Sequence, residues 1–76
     1  MNETTIDEKI ETIIEGANWM EVGTRLCKDA YTQDPDNLER WQEAYKTFPS
    51  CKPITKGYEN QMIEKYIKTY KKVMCN

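Results

Sequence analysis

Between residues 62 and 74 the apolar side chains recur at helical intervals: Met62, Ile63, Tyr66, Ile67, Tyr70, Val73 and Met74. Spacings of three and four gather them on one side of an α-helix, whereas a strand would scatter them over both faces. Lys65, Lys68, Lys71 and Lys72 fall on the reverse face. A helix over about 58–74 with so wide an apolar side must bury it against other elements. That requirement governs the reading of everything upstream.

Three further helices are expected, and no segment alternates like a strand for more than four residues. The first covers about 6–15, with Thr5 and Glu8 spaced as a capping box and Gly16 suited to a left-handed stop. Its apolar stripe is Ile6, Ile10, Ile13, Ile14 and Ala17. The second covers about 19–32, opened by Asn18 with Glu21 three residues on. Trp19, Met20, Val22, Leu26, Cys27, Ala30 and Tyr31 make its broad apolar face, within which Gly23 implies close approach of a neighbouring helix or of Trp19. Asp34-Pro35-Asp36 breaks the chain, either aspartate being able to cap the next helix. The third helix covers about 36–47, with Leu38, Trp41, Ala44, Tyr45 and Phe48 inward and Asp36, Glu39 and Glu43 outward. Pro49 and Pro53 make the next stretch a loop. Both tryptophans are expected to anchor the core.

A chain of 76 residues is one small domain, burying only about 60% of its unfolded surface. Leu, Ile, Val and Phe number 12, under the roughly 20% at which disorder becomes a competing reading. Two Trp, five Tyr and four Met restore the missing bulk, and the net charge of −2 is small. The expectation is a compact all-α four-helix domain spanning residues 1–76.

Composition narrows function mostly by exclusion. No apolar run exceeds three residues, so neither a membrane span nor a secretory leader is expected. Asn2 and the Cys75-Asn76 end do not fit lipidation signals, and a cytoplasmic protein is the expectation. Cys27, Cys51 and Cys75 are too far apart for a zinc site and too few for a disulfide framework, so reduced thiols are expected. Histidine is absent, which removes the commonest general base and the usual partner of a nucleophilic cysteine. The three glycines are isolated, so no phosphate-cradling loop is formed. No enzyme activity, cofactor or metal is expected.

The informative feature is charge polarity. Residues 1–45 hold 11 acids and 4 bases, and residues 46–76 hold 2 acids and 7 bases, giving −7 and +5. Asp7, Glu8, Glu11, Glu15, Asp36, Glu39 and Glu43 form the expected acidic face; Lys65, Lys68, Lys71 and Lys72 form the basic one. Such polarity suits docking on a larger protein with charged patches, and the acidic lobe could imitate the phosphate rows of a nucleic acid. Residues with AT-rich codons (Phe, Tyr, Met, Ile, Asn, Lys) total 31, against 11 for Gly, Ala, Arg and Pro. That bias in a short reading frame suggests a phage or mobile-element gene. The leading expectation is therefore a small regulatory or inhibitory protein directed at a host or defence complex.

Two other partners are open. The lysine face, with Tyr58, Tyr66 and Tyr70 beside it, could follow phosphates. A second copy of the chain could complete the thin core as a homodimer. Two family resemblances also exist. Asp34 to Trp41 resembles the junction of a tetratricopeptide repeat over eight residues, although one such repeat cannot bury its own face. Glu21-Val22, Leu26, Arg40-Trp41 and Phe48-Pro49 resemble, in order, excisionase-type winged-helix DNA-binding domains. That resemblance implies a wing at Ile54 to Tyr58 and DNA as the partner.

Overall fold

The computed structural model describes residues 3–53 and 56–75. Its elements are α1 (Glu3–Ile14), α2 (Trp19–Gln33), α3 (Asn37–Thr47) and α4 (Tyr58–Met74). No strand occurs among the described residues, and the four-helix all-α architecture is as expected. The expected wing is not formed where it can be followed: Ile54 and Thr55 lie outside the described residues, and Tyr58 already belongs to α4.

Most helix ends follow the local chemistry. Asn18 is extended and its Oδ1 accepts from the Glu21 N–H at 3.0 Å, capping α2. The Glu21 carboxylate does not reach back; it binds Arg25 at 3.2 Å instead. Gly16 adopts φ +76 after α1, a conformation that costs glycine nothing, and Gly57 precedes α4 at φ +88. Thr5 is not a cap. Nothing between Glu3 and Thr5 breaks a helix, so α1 begins earlier and Thr5 lies inside it. The turn into α3 is held by Asp34, whose Oδ1 accepts from the Asp36 N–H at 3.0 Å, while the Asp36 side chain makes no cap.

Helix α2 is the hub, packing against α1, α3 and α4, and α3 also packs on α4. Contacts between α1 and α2 run in opposite senses: Lys9 meets Asp29, and Arg25 meets the carbonyls of Ile13 and Glu15. Contacts between α2 and α4 run in step: Trp19 with Tyr58, Gly23 with Tyr66, Asp29 with Tyr70. These two helices therefore point the same way, and α3 is the return leg between them.

The buried core is Ile6, Ile10, Val22, Leu26, Ala30, Trp41, Ala44, Met62, Tyr70 and Val73. Three residues expected inside are exposed: Met20, Tyr31 and Leu38. The neighbours of α2 cover only the arc through Val22, Gly23, Leu26 and Ala30, which is narrower than its apolar face. On α3 the turn rotates Asn37, not Leu38, toward the interior. Asn37 Nδ2 donates to the Ala30 carbonyl at 2.9 Å, and its Oδ1 accepts from Arg40 at 2.7 Å. Trp41 anchors the core as expected; Trp19 is half-buried, edge-on to Tyr58 at 5.4 Å. Among the described residues no buried side-chain polar atom lacks a partner.

Candidate functional site

The expected acidic face divides into two rows on two helices. Glu8 and Glu11 on α1 and Glu15 just past its end are exposed in one row, and Asp36, Glu39 and Glu43 are exposed along the α3 side. Among the described residues no cation lies within ion-pair range of these six carboxylates. Asp7 differs from them, because its carboxylate meets Lys71 Nζ at 2.7 Å. One expected acidic residue is thus spent on one expected basic residue, tying α1 to α4.

The basic face changes in the same way. Lys65, Lys68 and Lys72 share the outer side of α4, while Lys71 points toward α1. Lys65 Nζ sits 4.0 Å above the Tyr45 ring, an electrostatic attraction to its π-face. Lys68 pairs with Glu64 one turn away at 3.1 Å. Lys72 Nζ donates to Thr47 Oγ1 at 3.2 Å and lies 5.7 Å from the Phe48 ring. The Lys68–Glu64 pair is solvent-exposed and therefore weak, which leaves Lys68 available to an external anion.

The tyrosines expected beside these lysines go elsewhere. Tyr70 is fully buried, and its hydroxyl donates to Asp29 Oδ2 at 2.6 Å. Burial, then the Asp29 hydrogen bond and charge, raise its pKa above the ordinary phenol range. Tyr66 runs its ring over Gly23 and stacks on Tyr45, with centroids 5.8 Å apart and planes 20° from parallel. Burial first, then Tyr45, push its phenol up to about 12. Arg40, which the winged-helix resemblance would offer to DNA, binds Asp34 at 3.3 Å and Asn37 at 2.7 Å within the α2–α3 turn.

Between α2, α3 and α4 the stacked rings wall an open hollow of about 290 Å³, lined by Gly23, Trp41, Gln42, Tyr45, Lys46 and Tyr66. That is at the floor of the range for small-molecule sites, about 300–1,000 Å³. It has the size of a seat for one large side chain. Lys65, lying across Tyr45, lines a neighbouring hollow of about 180 Å³ with Phe48, Cys51, Gln61 and Lys68. The groove escapes a reading of one helix at a time, because its walls come from three helices. Its one sequence signal is Gly23 inside an apolar face.

Cys27, Cys51 and Cys75 are free thiols, and burial raises the pKa of Cys27. Among the described residues no group of three or more His, Cys, Asp or Glu side chains is placed to hold a metal ion. No helix formed by those residues is long and apolar enough to cross a membrane. In comparisons with known proteins, no family model, curated protein or solved structure matches this chain.

Proposed function

We propose that the protein acts without catalysis, as a small regulatory or inhibitory module that docks on a larger protein. The observation that carries this reading is the charge arrangement: six exposed carboxylates on the α1 and α3 sides without cationic partners among the described residues, set against the lysine-bearing outer side of α4. Six acids without ion-pair partners steer encounter with a cationic protein surface and set orientation on it. The AT-rich residue usage supports a phage or mobile-element origin, with a host complex as the target. Either acidic row could occupy a groove that normally takes a nucleic-acid backbone.

The test is capture from the native host with the tagged wild type and with a triple variant, Glu8→Lys, Glu11→Lys and Glu15→Lys. A stoichiometric protein partner retained by the wild type and lost by the variant is expected. Recovery of no stoichiometric partner would overturn the proposal.

A second reading, nucleic-acid contact through α4, is favoured by the shared side of Lys65, Lys68 and Lys72. It requires affinity for DNA or RNA to fall with salt at a log–log slope of about −2 to −3 for three neutralised phosphates. Anisotropy that is unchanged by charge reversal at those lysines would rule it out.

A further inference from the structure

The groove walled by Trp41, Tyr45 and Tyr66 has no part in holding α1 and is not needed to display the acidic rows, yet its exposed lining is mainly apolar. Gly23 makes it. A Cβ at that position would stand 2.7 Å from two carbons of the Tyr66 ring, so only glycine lets the ring lie across α2. The ring surface that a nucleic-acid base would need is already engaged, since Tyr45 and Tyr66 stack on each other and Lys65 covers Tyr45. What remains is an apolar seat open to solvent, edged by the Gln42 amide and the Lys46 ammonium.

The lining of the seat carries a single charge, and it is positive. Lys46 is the charged side chain of its lining, and Lys65 lies on its Tyr45 wall. Glu43 lines a separate hollow with Arg40 and Lys72, and Glu64, which lines the neighbouring hollow with Lys65, is paired with Lys68. We infer that this groove seats an acidic segment of the partner protein, one large apolar side chain entering between Trp41, Tyr45 and Tyr66 while flanking carboxylates meet Lys46 and Lys65. This rests on the protein-docking reading and adds to it a second contact of opposite sign to the acidic rows. Buried aromatic anchors edged by charge are the usual form of an interface's energetic centre.

Two eight-residue peptides test it, sharing a central Leu-Trp pair and carrying glutamates or lysines on both flanks. Titrated into the isotopically labelled full chain, the glutamate peptide is expected to shift the Gly23 amide, the Trp41 indole N–H and the Gln42 side-chain amide. Its Kd should be on the order of 0.1–1 mM, as befits a single anchoring side chain. The lysine peptide should bind about tenfold more weakly, and Lys46→Glu, an exposed change that leaves the core alone, should abolish the difference. Equal binding of both peptides, shifts confined to other surfaces, or no binding up to several times that concentration would overturn the assignment. So would groove shifts that appear on concentrating the protein alone, which would make a second copy the occupant. Capture of one host protein equally by the wild type and Lys46→Glu would leave docking standing and remove the groove from it, whereas peptide selectivity without any captured partner would do the reverse.

Discussion

Asp29 Oδ2 accepts from the Tyr70 hydroxyl at 2.6 Å and from Gln33 Nε2 at 3.0 Å, and forms an ion pair with Lys9 Nζ at 3.4 Å, so it ties together α1, α2 and α4. The Tyr70 contact matters most, because a buried hydroxyl without an acceptor costs about 1–3 kcal/mol. Asp29→Ala should therefore lower the melting temperature by roughly 10 °C in a domain of this size, with Asp29→Asn costing less because an acceptor remains. Thermal unfolding followed by circular dichroism decides between them; equal losses would mean the hydrogen bond contributes nothing. The raised pKa values of Tyr66 and Tyr70 also fix a sign. The folded state holds these phenols neutral while the unfolded state begins to ionise near its ordinary value, so the contribution is intact below about pH 10 and is lost as pH rises above it. Alkaline titration should show late phenolate absorbance coinciding with unfolding, and Tyr70→Phe should make stability flatter with pH. At Gly23 a methyl would gain up to about 1 kcal/mol of helix propensity but would collide with the Tyr66 ring at 2.7 Å. Gly23→Ala should consequently destabilise by about 1–2 kcal/mol in denaturant titration, and pairing it with Tyr66→Ala should remove most of that penalty.

At the level of elements, periodicity was a good guide where helices pack along most of their length. The α4 face from Met62 to Val73 and the left-handed glycine after α1 follow from spacing and backbone sterics alone. It misled where a helix end turns. Leu38 reads as core and is exposed, because the α2–α3 turn presents Asn37, whose amide gives the Ala30 carbonyl in the last turn of α2 a second donor beside the Asp34 N–H, as an aliphatic side chain cannot. Arg25 was equally hidden: its guanidinium reaches the carbonyls of Ile13, in the last turn of α1, and of Glu15 just beyond it, a tertiary helix cap that no one-helix pattern encodes. The acidic candidates were legible as exposed positions, but their division into two rows, and the loss of Asp7 to Lys71, depend on how α1 docks. Helix α1 packs chiefly on α2, while α2 touches all three others. Native-state hydrogen exchange should thus find α1 amides opening at lower free energy than those of α2, and Arg25→Ala should widen the gap by about 1 kcal/mol.

For the whole molecule, the Cα radius of gyration of 12.0 Å is close to the about 11 Å expected for a compact chain of this length, so the scarcity of aliphatic residues has not kept it open. Tyrosine and tryptophan supply volume in their place. With acidic rows on one part of the surface and lysines on another, a weak head-to-tail attraction between copies is expected at low ionic strength, fading as the Debye length shrinks below about 10 Å. Static light scattering should show a second virial coefficient that rises between low and physiological salt; no salt dependence would contradict the polarity. The co-directional pairing of α2 and α4 bears on a different property, the register between them. If α4 slipped one turn, about 5.4 Å, toward its own N-terminus, Tyr70 would lie over Gly23 and Asp29 would face Met74, which has no proton to give. A slip the other way would set Met62 in the glycine notch and leave an unfilled space where the Tyr66 ring belongs. A notch and a hydrogen-bonding pair about one turn apart along α4 therefore act as two teeth of one key, and a single alignment engages both. In so small a protein, where slipped packings bury nearly the same apolar area, such keying is what makes one native state out of several near-equal ones.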